Sequence, residues 1–365
     1  MADNENKNVK PKKDSKINAF IQKHGKKKLI IGTCGVVAVI VLIVGLSVGL
    51  TTCNKGSGST SSTSSSTTSV QTSSSNSSTA TSSSTITNSQ TSSSNSSSTS
   101  SSSGKLPEEG FTPVFSSDKS TCTYGIYPQT YVSDSSIIAA LNEMDGPTTD
   151  YYYVYNNNIY AKVSKASTSS YTDLYFSDGT KIVDEQTYWF KCEPITWNVV
   201  KTESGLTTLI SNVLLDGCIY NEDTSEPKYD VSNLRTWLND TFYNKAFYGV
   251  SNINPTYIQT NEVDNSASTT NDESNQYCCD NTFDKVYLPS LVDMINNTVD
   301  KNCNITDYLK ASGVFCTSNT TAQYWTRSPT PYSKGFIYIV DDDGSFVYLK
   351  TNNKIAVRPV ITIYY

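Results

Sequence analysis

From residue 29 to residue 50 the chain reads LIIGTCGVVAVIVLIVGLSVGL, 22 positions without a charge. At 1.5 Å per helical residue this stretch reaches about 33 Å, enough for a hydrocarbon core of about 30 Å. It has no polar face, so it predicts a transmembrane helix over 29–50 and not a soluble amphipathic one. The apolar pattern then stops. Residues 56–104 hold no charged or aromatic side chain and consist almost wholly of Ser and Thr. Such a segment cannot bury enough apolar surface to offset its conformational entropy, which predicts a disordered stalk over 51–104. Its 49 uncharged residues would span about 40 Å as a flexible coil. The plain reading is a tether; the alternative is a mucin-like stalk with O-linked sugars on its hydroxyls.

Beyond residue 105 the apolar positions become periodic. Alternation predicts strands over 187–200, 206–211, 335–340, 345–350 and 355–364. The last three read as a meander, with Asp343-Gly344 and Asn352-Asn353 as turn signals. Leu234, Trp237, Leu238 and Phe242 recur at three- and four-residue steps after Ser232, predicting a capped helix that ends near Gly249. Weaker helical patterns begin at Ser133, at Ser290 and near Thr306, the last stopping at Gly313. Strands outnumber helices and do not alternate strictly with them, so 105–365 is expected to be one α+β domain with mixed antiparallel sheets and short helices.

Charge orients this arrangement. Residues 1–28 carry nine Lys against Asp3, Glu5 and Asp14, a basic tail that the positive-inside rule places in the cytoplasm. Residues 105–365 hold 18 Lys and Arg against 31 Asp and Glu, −13, within a whole-chain net charge of −6. An outer domain so acidic repels phosphates, which excludes nucleic acid as a partner. The expected location is the cell membrane, single-pass, with the C-terminal domain outside and a signal anchor left uncleaved. The alternative is a lipoprotein acylated at Cys53, although Thr52 is a poor match for the residue before a lipidated Cys. Gly45 and Gly49 have the spacing of a helix-dimerisation motif, a weak signal alone.

Candidate chemistry is limited by one absence. The only histidine is His24, in the basic tail. Ser-His-Asp and Cys-His nucleophilic sites, HExxH motifs and imidazole zinc sites are thereby excluded from the outer domain. Its cysteines are Cys122, Cys192, Cys218, Cys278, Cys279, Cys303 and Cys316, with no CxxC among them. Disulfides, buried reduced thiols and a redox or metal role all remain open for them. Paired carboxylates suffice for glycoside hydrolysis, but with 31 acids the signal is unspecific. Asp341 and Asp343, with Asp342 between them, are candidate calcium ligands, as are Asp280, Asn281 and Asp284. For both groups the competing reading is a turn closed by Asx side chains. The excess of Tyr, Asn and Ser resembles a sugar-binding surface, where rings stack and amides bond hydroxyls.

Several phrases carry a family resemblance: TYGIYPQTYV at 123–132, CEPITWNVV at 192–200, LISNVLLDGCIYN at 209–221, SNLRTWLNDTFYNKAF at 232–247, DKVYLPS at 284–290, TDYLKASGV at 306–314, YWTRSP at 324–329 and AVRPVITI at 356–363. Together they resemble the bacterial domain-of-unknown-function family 6273, a family of surface and secreted proteins with no established activity. The resemblance implies a C-type-lectin-like fold, shared by analogy with formylglycine-generating enzymes. It makes Trp325, Arg327, Ser328 and Arg358 candidate ligand-binding residues beside Pro359, and aligns Arg235, Trp237 and Leu238 with the family's helix motif. The competing reading puts the Trp and Leu side chains in the core and has Arg327 and Arg358 hold turns. Cys278-Cys279 stands where the family has a Gly-rich turn, and no motif of catalytic cysteines of the formylglycine-generating type is present.

The expected function is that of a membrane-anchored bacterial surface protein displaying a non-catalytic recognition domain for glycan or protein, in adhesion or envelope binding. The alternatives are an extracellular carboxylate- or cysteine-dependent enzyme, such as a glycosidase or oxidase, and a structural envelope spacer. No cofactor is expected beyond the calcium candidate.

Overall fold

A computed structural model describes residues 108–364. The basic tail, the apolar segment 29–50, the Ser/Thr stretch 51–104, His24, Cys53 and the Gly45/Gly49 spacing lie outside the described residues. Among the described residues no helix is long and apolar enough to cross a membrane. The fold is α+β, mostly mixed sheet with a few short helices.

Two sheets organise it. The larger runs β1 (Val114–Phe115), β2 (Thr121–Tyr131), β6 (Tyr188–Glu203), β7 (Leu206–Ser211), β17 (Val360–Tyr364) and β11 (Val286–Tyr287), with β3 (Tyr153–Tyr155) and β4 (Asn158–Val163) joined to the far part of β6. The smaller has the order β15 (Phe346–Lys350), β14 (Phe336–Val340), β13 (Tyr324–Pro329), β16 (Lys354–Val357) and β8 (Asp216–Ile219). Two short pairs complete the set: β9 (Asn261–Val263) with β10 (Thr282–Asp284), and β5 (Ser167–Ser170) with β12 (Ser312–Cys316).

The expected strand 355–364 is two strands in two sheets. Pro359 has no N–H to donate, so the ladder breaks there. β16 then pairs parallel with β13 and antiparallel with β8, whereas β17 pairs with β7 and β11. The expected meander therefore stops after the β14–β15 hairpin. β2 was not among the expected strands, and it contains Gly125 and Pro128, residue types that usually interrupt a strand. The strand absorbs them with irregular register around both positions, Pro128 standing opposite Cys192 of β6, and β1 pairs with it only at Cys122 and Thr123, so the β1 side carries no ladder at Pro128.

The helices follow their caps. α1 (Ser135–Asn142) is capped by Asp134, one residue beyond the expected Ser133, through bonds to the Ser136 and Ile137 amides. The helix expected after Ser232 is three segments: α2 (Asn233–Trp237), a π turn over Leu238–Phe242 and α3 (Tyr243–Tyr248). The π turn re-phases the stripe, so that Leu234 before it, Leu238 and Phe242 at its two ends, and Tyr243, Ala246 and Phe247 after it are all buried. α4 (Leu291–Asn296) begins with a reciprocal cap between Ser290 and Asp293. α5 (Asp307–Lys310) is capped by Thr306 and ends at Ala311, short of Gly313, which lies in β12 at φ +74°.

The main core lies where the larger sheet, α2–α3 and the smaller sheet meet, built on Trp197, Tyr124, Tyr127, Phe247, Trp325, Ile339 and Ile361. A second core gathers Phe176, Phe190, Leu309, Val314 and Tyr324, and a small third one packs Leu141 of α1 against Trp189 and Tyr160.

Candidate functional site

The four motif residues on β13 and after β16 are inside the protein. Trp325 is fully buried, and its Nε1–H donates to the Cys218 carbonyl at 3.0 Å. Arg327 donates to the carbonyls of Asp264 and Leu288 at 3.1 and 2.7 Å and to Asp293 Oδ2 at 2.8 Å. Ser328 Oγ donates to the Thr269 carbonyl and accepts from Leu291 N, the first amide of α4. Arg358 donates to the carbonyls of Ser211 and Asp300 and lies 5.6 Å from the centre of the Tyr324 ring. These side chains spend their polar groups on backbone carbonyls and on the Asp293 carboxylate, the arrangement of the competing reading. They hold the surface segments around 264–270, 288–293 and 300 and do not themselves face solvent.

Asp341, Asp342 and Asp343 meet at the tip of the β14–β15 hairpin, each able to place an oxygen within 4.8 Å of the others. The turn uses several of these acceptors: Asp341 Oδ1 takes Gln323 Nε2–H and the Asp342 amide, and Asp343 Oδ1 takes the Ser345 amide. The other calcium candidate is dispersed. Asp284 receives Arg235 and Thr282, Asn281 donates to Glu262, and Asp280 contributes its carbonyl to Asn265.

All seven cysteines among the described residues are free thiols, and Cys122, Cys192, Cys303 and Cys316 are buried. Burial pushes every one of them up, Cys122 and Cys316 to about 12 and Cys218, Cys279 and Cys303 to about 11. A thiol held there is no nucleophile near neutrality. The carboxyls that are clearly displaced, at Asp118, Asp134, Asp223, Asp272 and Asp293, all move down, the opposite of what a general acid needs.

An open groove of ≈ 430 Å³ lies between the π turn and β10. Asn239 lines it. The Nδ2 amide donates to the carbonyls of Arg235 and Val286 and to Asp284 Oδ1, and Oδ1 accepts the amides of Lys285 and Val286. One carboxamide thus ties the helix to the strand, and the π turn swings it into position; such turns often occur at functional sites. Arg235 Nε donates to Asp284 Oδ1 at 2.8 Å, with the arginine 29% exposed and the aspartate 1%. Lys285 Nζ donates to Tyr243 Oη at 3.0 Å and sits 4.6 Å from the centre of that ring. Burial raises the Tyr243 phenol, so it stays a neutral acceptor. Phe283 stands on the rim, 66% exposed, with Thr236, Asp240 and Thr260 also lining the wall.

The family motif singles out Arg235 in this groove; Asn239, Tyr243, Phe283 and Lys285 were not anticipated. The available signal was a polar Asn inside the apolar stripe between Leu238 and Phe242. A smaller concavity of ≈ 320 Å³ lies beside α1, lined by Asp134, Asn158, Tyr160 and Lys191. A separate aromatic group stands beside the hairpin, where Tyr332 in the β13–β14 connection, 71% exposed, is 6.3 Å from Tyr348 of β15.

Residues 204–364 match the model of a family described as a domain of unknown function (DUF6273). The matched stretch contains the groove, the π turn and the four buried motif residues, and leaves the phrases at 123–132 and 192–200 outside it. Comparison with curated proteins and with solved structures found no match.

Proposed function

We propose that this chain is a single-pass surface protein, anchored through residues 29–50 with its N-terminus in the cytoplasm, that displays a C-type-lectin-like, non-catalytic recognition domain for glycan or protein in adhesion or envelope binding. The observation that carries the reading is the groove at the π turn. It is open and of small-molecule size, one wall is fixed by a carboxamide whose bonds are all internal, and its lining includes an exposed ring. Recognition needs such a preorganised surface and no titrating group. Raised thiols and lowered carboxyls suit binding better than acid–base or thiolate chemistry. The test is a glycan array together with immobilised matrix proteins, probed with the full-length chain in nanodiscs. Retention above that of a chain lacking residues 105–365 is expected; signal equal to that control overturns the reading.

A further inference from the structure

Resting on that recognition reading, we infer that the groove between the π turn and β10 takes an uncharged saccharide, seated against the Phe283 ring. The wall carries four charged groups, Arg235, Lys285, Asp240 and Asp284, two of each sign. This balance stands out in a domain of −13 net charge. Arg235 is neutralised by Asp284, which is almost wholly buried. Two of its N–H groups go to Asp284 and the Asp230 carbonyl, and a guanidinium has five. It therefore offers hydrogen-bond donors with its charge already compensated. Lys285 commits one N–H to Tyr243, and Asp240 takes Asn244 Nδ2–H on Oδ1. Thr236 and Thr260 line the same wall, and a hydroxyl both donates and accepts.

Donors and acceptors are thus interspersed along one wall without net charge. An anionic ligand meets Asp240, a cationic one meets Lys285 and Arg235, and an apolar one leaves the remaining hydrogen-bonding capacity of these groups unused. A ring bearing several hydroxyls satisfies both kinds. Phe283 supplies the remaining element: an aromatic face, 66% exposed at the rim, against which the C–H face of a sugar packs while its edge reaches the polar wall.

The experiment titrates the full-length chain in nanodiscs with chitotetraose and cellotetraose, both uncharged, and with a hyaluronan tetrasaccharide, which carries uronate groups. The expected result is saturable binding of at least one uncharged tetrasaccharide, weaker binding of the uronate one, a tenfold or greater loss with Phe283→Ala and a loss of several-fold with Lys285→Met. Tyr332→Ala, in the separate aromatic group beside the hairpin, should change nothing. Phe283 and Tyr332 are both exposed, so neither variant threatens the fold. The inference is overturned if no uncharged tetrasaccharide binds, if the uronate one binds more tightly, or if binding survives Phe283→Ala and is lost with Tyr332→Ala. Array or matrix binding that is indifferent to Phe283 would sink this inference and leave the broader recognition reading standing.

Discussion

Lys310 Nζ lies 3.0 Å from Asp307 Oδ1, three residues earlier, with only 6% and 2% of the two side chains exposed. The pair is completed by its surroundings. Asp307 accepts from the Tyr131 and Ser177 amides and from Ser177 Oγ, and Lys310 donates to the Tyr175 carbonyl. One short helix thereby fastens the 175–177 segment and the end of β2 to the second core.

Removing the cation alone should be severe. Lys310→Met leaves a buried carboxylate without its counter-ion, a change that costs about 3–5 kcal/mol. The double variant Asp307→Asn/Lys310→Met should lose less than the sum of the single variants. Urea unfolding of all four proteins checks this, and strict additivity would refute the coupling.

Asp293 makes stability depend on pH at the acid end. Its partial burial favours the neutral form, but the Arg327 charge and hydrogen bonds from Ser290 and Arg327 outweigh it and hold the carboxyl below its ordinary value of 3.8. A depressed folded pKa gives stability that is full above the unfolded value, about 3.9, and is lost as pH falls through the folded one. Asp293→Asn should therefore narrow the gap in melting temperature between pH 6 and pH 3. An unchanged gap would show that the ion pair contributes nothing to acid sensitivity.

Thiol labelling distinguishes buried from accessible cysteines. At pH 7.5 an aromatic disulfide reagent should leave Cys122, Cys192, Cys303 and Cys316 unmodified in the native protein and react only slowly with Cys218, Cys278 and Cys279. In denaturant without reductant all nine cysteines of the chain should react. A shortfall among the seven cysteines between residues 122 and 316, located by peptide mapping, would show disulfides where the structure has free thiols.

Calcium should have little effect. The Asp341, Asp342 and Asp343 cluster uses carboxylate oxygens to close its own turn, and a calcium ion asks for six to eight oxygens. Melting curves in 2 mM calcium and in chelator are expected to coincide. A clear calcium-dependent rise, abolished by Asp341→Asn, would make the hairpin tip an ion site.

The strands with clean alternation were legible from sequence, and so were the caps at Ser232, Ser290 and Thr306, because each depends on neighbours within a few residues. What escaped depends on distant partners. β2 tolerates Gly125 and Pro128 only because β6 runs alongside and β1 stops short. The π turn cannot be read from apolar spacing, since residues 234–247 fit an ordinary helix nearly as well. Asn239 acquires its purpose only when strand residues 284–286 arrive forty-five positions later. The buried motif residues were visible as a pattern, but their roles were not, because a Trp or Arg in a phrase looks the same whether it faces a ligand or a carbonyl.

The break at Arg358-Pro359 bears on how the domain is made. β16 and β17 are both interior strands: without them β8 loses its place in the smaller sheet and β11 its place in the larger. Neither sheet can close until residues 354–364 have emerged from the ribosome and, for an exported domain, from the translocation channel. Until then β7 and β13 each present an open edge, the state in which chains pair wrongly with one another. Residues 354–364 therefore guard both sheets at once, since their absence leaves two interior edges open to wrong pairing.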